Sequence, residues 1–352
     1  MLPGVSRGPV VVAVLLVLSF ASSAAASPER APAFRDTILS GSAPRAPAAA
    51  SEWGGLTTAT DGETVNLYFS DAYPVDQARA LQWADFMTSL IHGPELQTVA
   101  IHLAPLNEVQ DRRHCGADAL ACYSPVAATI YTPADDPAFD TSAKGILIHE
   151  YGHHIAASRA NPPFESEDYG TKRWASYENV CARTQAGDLF PGAEDSRHYM
   201  LNPGEAFAET YRLLNEVRLG LPQESWTIVS PALAPDPTAL SLLEQDVTTP
   251  WTASTVKTLT ARLTSKVPTR TFVVPTAFDG TISVVARQSA GAKVKLSLLA
   301  NKRSVNAKTS SGSRSSVSST VCGVRRYSVR AQLTGKVTKA TKTTLSLTVS
   351  TA

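Results

Sequence analysis

Charge is divided along this chain in a way that one averaged surface would not produce. Residues 255–352 hold 17 lysines and arginines against a single acid, Asp279, a formal charge of +16, whereas residues 1–254 carry −15. A division of that size marks two physically different regions. The texture changes at the same place. Upstream, "DQARALQWADFMTSLI" has the apolar spacing of an amphipathic helix and lies between two strand-like runs, "TVNLYFSDAYP" and "TVAIHLAP", with a third, "VAATIYTP", further on. Downstream, "TFVVPT", "TISVVARQ", "VKLSLLA", "RYSVRAQL" and "TTLSLTVS" alternate between Gly, Ser and Asn turns. That is the pattern of an antiparallel β-sandwich. With 43% apolar and 18% charged residues in 352, the chain is globular and long enough for two cores. The expected fold class is α+β over residues 51–250, followed by a sandwich over 255–352.

The start, "MLPGVSRGPVVVAVLLVLSFASSAAASPE", has one basic residue, an apolar stretch from Val10 to Phe20, and the small residues Ala24, Ala25 and Ala26. It reads as a signal peptide over residues 1–26, and residues 27–50, rich in Pro, Ala and Ser, as a flexible leader or short propeptide. No later segment approaches the ~20 continuous apolar residues of a membrane span. Four cysteines fit an oxidising, extracellular compartment. Cys115 and Cys122 close the small loop "CGADALAC", the favoured pairing, which leaves Cys181 and Cys322 to join the two halves. None forms a C-x-x-C pair, so a thiolate zinc site is not expected.

The chemistry concentrates in "GILIHEYGHHIAAS", residues 145–158, where three of the seven histidines stand beside a glutamate. Residues four apart lie about 40° from each other around a helix, so His149 and His153 project from one face and can converge on one ion. Glu150 sits beside the first of them. Asp140, Thr141 or Ser142 can cap this helix, and Asn161-Pro162-Pro163 stops it. Leu147, Tyr151 and Ile155 supply a buried back face, and Gly152 lets another backbone come close. The bland alternative is a helix with satisfied core histidines and an exposed acid; His154, outside the pattern, is read as an ordinary neighbour.

His-Glu-x-x-His on a helix resembles the zincin signature. The resemblance implies a zincin-like catalytic domain with one catalytic Zn2+ on His149 and His153, and Glu150 as general base. The metzincin pattern requires a Gly and a third His where this chain has Ala156 and Arg159. The type with an aspartate ligand requires a motif that "EDYGTKRW" does not match, so Asp168 is kept only as a reserve ligand. In "NPGEAFAETYRLLNEVRLG", Asn202 can cap, Pro203 suits the first helical position, and Glu205 and Glu209 lie four apart. Here the chain resembles the gluzincins, and within them the branch of lethal factor and the Pro-Pro endopeptidases. The likeness implies that Glu205 is the third metal ligand and that Glu209 holds the free ring N–H of His149 or His153. Against it, Glu205 can complete a capping box, and Glu205, Glu209, Arg212 and Glu216 form the stripe of a solvated face. For the oxyanion donor, the resemblance nominates Tyr199 as catalytic, with His198 the alternative at a spacing one residue different. The strand "VAATIYTP" is read as the edge along which a peptide lies, lined by Tyr123 and Tyr131 unless these are core residues.

The C-terminal region weakly resembles the small β-sandwich domains attached to secreted bacterial peptidases. Its charge should draw it to polyanions such as an anionic cell-wall or surface polymer, or else to its own acidic partner domain. No nucleic-acid motif is present. The reading is a secreted, disulfide-bonded zinc metalloendopeptidase acting on protein or peptide substrates, in solution or associated with the cell wall. Its rivals are a secreted surface- or polyanion-binding protein with a structural or inactive metal site, and a zinc hydrolase of non-peptide amides such as wall cross-links.

Overall fold

The computed structural model describes residues 52–111, 114–137, 141–223, 229–288, 291–323, 326–339 and 341–352, with the backbone of 36–38. The expected signal peptide and most of the leader lie outside the described residues. Strands β1 (Asp36–Ile38), β2 (Glu52–Thr58), β3 (Thr64–Ser70), β4 (Ala100–Ala104), β5 (Ala121–Ser124) and β6 (Thr129–Pro133) form a mixed sheet in the order β1-β5-β6-β4-β3-β2. β2 and β3 make an antiparallel hairpin, β3, β4 and β6 run parallel, and β5 turns back antiparallel to β6. On the far side of β5, β1 pairs in parallel, with Asp36 opposite Ala121 and Ile38 opposite Tyr123. Three residues of the leader segment are therefore a strand.

The helices of the described residues are α1 (Gln77–Ser89), α2 (Leu106–Val109), α3 (Ala143–Ala157), α4 (Ser166–Tyr169), α5 (Lys172–Tyr177), α6 (Val180–Ala186), α7 (Pro203–Leu219) and α8 (Pro237–Thr248). α1 is the crossover that joins parallel strands β3 and β4. The carboxylate of Asp76 caps it by accepting from the backbone N–H groups of Ala78 and Arg79. Val65, Leu67 and Phe69 alternate inward from β3 and meet Ile101, Leu103 and Ile130 in one core with Trp83, Met87, Ile146, Tyr151, Trp174 and Phe207.

"VAATIYTP" is not an edge. β6 lies between β5 and β4, because the chain doubles back into the short strand "ACYS", which has no alternation to announce it. Tyr123 is a core residue whose hydroxyl meets His154 Nδ1 at 3.0 Å. Tyr131, on the other face, stacks between His102 and His114, each 4.7 Å away. Neither tyrosine lines a peptide edge.

Beyond α8, β7 (Thr255–Thr264), β8 (Thr269–Pro275), β9 (Gly280–Gln288), β10 (Val294–Ala300), β11 (Arg303–Ser310), β12 (Arg314–Val321), β13 (Arg326–Leu333) and β14 (Lys342–Thr351) build two four-stranded sheets, ordered β11-β10-β13-β8 and β12-β9-β14-β7. Every pairing in them is antiparallel. Leu263, Ile282, Val284, Leu296, Leu298, Val329, Leu345 and Leu347 interdigitate as a second core, the sandwich expected from the alternation.

The two cores are joined tightly. Lys172 Nζ donates to Pro162 O at 2.9 Å and to Asp279 O at 3.1 Å, and lies over the Trp251 ring. Asp279 donates its own N–H to Ser176 Oγ and accepts from Gly323 N through Oδ1. Gly280, at φ +146°, brings β9 so close to the α+β region that an added Cβ would stand 3.1 Å from Pro162 O and 3.3 Å from Lys172 Nζ. Disulfide Cys181–Cys322 crosses the same junction, and Cys115–Cys122 closes the small loop.

Candidate metal centre

α3 begins where Ser142 Oγ accepts from Gly145 N, so of the three candidate caps the last is used. Its first turn is followed by an unbroken buried run from Gly145 to Ala156. Such a helix is inside the protein on every side, not amphipathic, and each of its polar side chains must be matched. Gly152 is what lets α7 approach: an added Cβ would stand 2.9 Å from the Ala208 Cα. α7 starts as its sequence implies, with Asn202 Oδ1 accepting from Gly204 N and Pro203 in the first turn. Its Gly204 is equally constrained, since an added Cβ would meet Glu167 O at 2.5 Å.

This packing brings three donor atoms together. His149 Nε2 and His153 Nε2 are 3.1 Å apart, and Glu205 Oε2 lies 3.3 and 3.5 Å from them. Tetrahedral bonds of about 2.0–2.1 Å put neighbouring donors about 3.3 Å apart, so the spacing suits one ion. The second carboxylate oxygen, Glu205 Oε1, is buried with no hydrogen-bond partner among the described residues. His149, His153 and Glu205 are all 0% exposed. The group could hold a metal ion. Tyr199 adds its hydroxyl, which donates to Glu205 Oε2 at 3.0 Å.

Glu209 orders the group from behind. Its Oε1 lies 2.7 Å from His149 Nδ1, and both its oxygens accept from Arg212, which also donates to Glu216. Burial pushes the Glu209 carboxyl up, but the His149 contact and the Arg212 guanidinium outweigh it and hold the pKa down at about 2. An ionised carboxylate only accepts, so His149 Nδ1 carries the proton and the lone pair of Nε2 faces the group. Glu205, Glu209, Arg212 and Glu216 are therefore not a solvated stripe: all four are buried. Nor does Glu205 close a capping box, because Asn202 N donates to Tyr199 O. Arg212 and Glu216, which the sequence placed only in that stripe, owe their part in the network to their i+3 and i+7 spacing from Glu209.

Glu150 is fully buried on the turn between the two histidines. His154 is the ordinary neighbour, with Nδ1 on Tyr123 and Nε2 3.0 Å from Glu95 O, and burial lowers its pKa. The two reserves stand apart. Asp168 lies on α4 beside Gly192, and burial raises its pKa. His198 pairs with Asp195 at 3.0 Å and packs on the Phe190 ring. Neither joins the group. Glu167, which the sequence did not single out, is pushed up to about 7 by burial, against the pull of His153. A cavity of about 1110 Å³ opens elsewhere, at the start of α3, between Arg79, Trp83, Asp135, Lys144, Ile148 and Glu216.

No known family profile matches the chain, and no curated protein matches it. Among solved structures, the sandwich is similar to the pre-peptidase C-terminal domain of a collagenase from Bacillus anthracis, at 12% identity and TM-score 0.22, over 26% of this chain and 87% of that one. Dimeric latent PorU from Porphyromonas gingivalis matches at 18% identity and TM-score 0.20, over 28% of this chain and 13% of its own. A family GH115 4-O-methyl-alpha-glucuronidase with specificity for decorated arabinogalactans matches at 8% identity and TM-score 0.20, over 58% and 38%.

Proposed function

We propose that the chain is a secreted zinc metallopeptidase of the gluzincin type. Residues 51–250 would be its zincin-like catalytic domain and 255–352 an accessory basic domain. The observation that carries this reading is the convergence of His149 Nε2, His153 Nε2 and Glu205 Oε2 within 3.5 Å, from two helices, with Glu150 on the same turn. The site suits zinc in its donor chemistry, two imidazoles and a carboxylate, and in the spare oxygen of Glu205. When bound, zinc supplies a Lewis acid that brings the pKa of a water to about 7 and polarises a carbonyl. The chain does the rest. Glu150 takes the proton of the attacking water and passes it to the leaving amine. Tyr199 turns its hydroxyl to the oxyanion, and Glu209, kept ionised by Arg212, holds the His149 ring in one tautomer. Both disulfides accord with export to an oxidising compartment.

The test is to purify the mature chain and its Glu150→Gln form, measure metal in both, and expose both to a mixed peptide library. Equal zinc with cleavage by the parent alone is expected. Equal zinc with no cleavage by either would favour a second reading, a secreted binding protein with a structural ion. Its support is the complete burial of all three donors.

A further inference from the structure

Part of the basic charge of the sandwich stands at the pole remote from the α+β region, apart from Lys257, Lys302, Arg303 and Arg326 nearer the junction. The junction end of the β12-β9-β14-β7 sheet is marked by Gly280, Val321 and Ala352, where β9, β12 and β14 meet the α+β region. Asp279, the only acid of residues 255–352, is used there, 3% exposed and bonded to Lys172 and Gly323. Arg287 is seven residues along β9 from Gly280, about 24 Å at about 3.4 Å per residue. On the neighbouring strand Arg314 is its direct cross-strand partner. Both side chains are exposed. Like charges directly opposite each other are unfavourable, and among the described residues no carboxylate forms an ion pair with either arginine.

The register extends the cluster. Ser346 is opposite Arg287 on β14, and Thr260 is opposite Ser346 on β7. One step further from the junction, Thr344 faces Arg262, and Lys342 follows on β14. Arg262 and Lys342 are exposed. The outer face of these four strands is otherwise Ser and Thr with two valines, and carries no aromatic ring and no acid. Attraction to the acidic α+β region does not account for cations placed at the far end from it.

We infer that this pole of the outer face, Arg262, Arg287, Arg314 and Lys342 among hydroxyl groups, is a docking surface for a linear polyol-phosphate polymer outside the cell. Paired guanidiniums match phosphate oxygens with two parallel hydrogen bonds each, and the neighbouring hydroxyls donate to the same groups. A four-stranded sheet face is too broad for a duplex groove, and without aromatic rings it offers bases only guanidinium planes on which to stack. The same lack of rings removes the platform on which uncharged sugar rings stack, and leaves charged polysaccharides to be told apart by the heparin arm of the test. The surface therefore reads spaced phosphodiesters on a ringless backbone. This role is independent of the peptidase reading.

The probe is poly(glycerol phosphate), titrated against the full chain at several salt concentrations, with heparin, single-stranded DNA and phosphatidylglycerol vesicles in parallel. Arg287→Ser with Arg314→Ser should weaken binding at least tenfold and lower the slope of log affinity on log salt by about 1.5. Lys257, opposite Val349 on β14, and Lys302, in the turn after Ala300 at the end where β8 leads to Asp279, lie toward the junction; replacing both by Ser removes the same charge there and should change affinity less than twofold. Melting curves of both double variants should match the parent, since all four side chains are exposed. Equal losses from the two variants would reduce the effect to net charge and overturn the assignment. So would undiminished binding by the arginine variant, or tighter binding of heparin, DNA or vesicles than of the polyol phosphate.

Discussion

Replacing Gly152 by alanine asks how closely the metal group depends on the contact between α3 and α7. The new Cβ would lie 2.9 Å from the Ala208 Cα, 3.2 Å from its carbonyl oxygen and 3.3 Å from its Cβ. Carbon atoms pack at about 3.5–4.0 Å, so the two helices must separate by at least about 0.6 Å. Overpacking of this kind costs roughly 1–3 kcal/mol, against which alanine returns about 1 kcal/mol of helix propensity. The net loss of stability should be about 1 kcal/mol, a fall of about 2–4 °C in Tm. The effect on the site should be larger. His149 and His153 ride on α3 and Glu205 on α7, so the same displacement acts on donors that tolerate only about 0.2 Å. Zinc affinity should fall by about 10–100-fold. Competition with a chromophoric chelator measures it, alongside thermal unfolding in the presence of a strong chelator. A Gly152→Ala protein that binds zinc within twofold of the parent and melts higher would refute the reasoning, because the helix contact would then not set the donor spacing.

Glu205→Ala should lose most of the bound zinc by elemental analysis of dialysed protein, whereas Asp168→Ala should keep it; the reverse result would move the third ligand to α4. Stability should depend on pH through Lys172, whose pKa burial brings down from 10.5 to about 8 despite the attraction of Asp279 and Asp246. Between these values the unfolded chain binds more protons than the folded one, so unfolding free energy should rise with pH from 8 to 10.5, by on the order of 3 kcal/mol at most. Denaturant titrations of the parent and of Lys172→Met across that interval test this, and an identical rise in both proteins would exclude the lysine as its source.

The histidine pair was legible because a period of 3.6 residues leaves no other way to place His149 and His153 than on one side of a helix. Caps were legible for the same local reason, as Asn202 and Ser142 show. What sequence periodicity does not reveal is where a polar stripe points. Glu205, Glu209, Arg212 and Glu216 have the spacing of a solvated face, and only the close approach at Gly152 turns them inward. Tyr199 and His198, adjacent in sequence, are separated by one peptide and by their partners, Glu205 and Asp195. Strands were read where apolar residues alternate, as in β3, β9, β13 and β14. They were missed where alternation fails: in β11, whose first seven residues are exposed, and in β2, whose Gly54 carries no side chain because an added Cβ would lie 2.3 Å from Leu67 O. β5 is too short to announce itself, and with it went the identity of the sheet edge.

The bridge between Cys181 and Cys322 closes a covalent ring of chain that contains α7 and most of the sandwich. A single cut by a foreign protease anywhere inside that ring would leave one connected molecule, with the Glu205 helix and the cationic pole still tied to the histidine helix. Within that ring, nicking and dismemberment are therefore different events. Inside the ring, a second cut or reduction of the bridge is needed before the parts come away from each other.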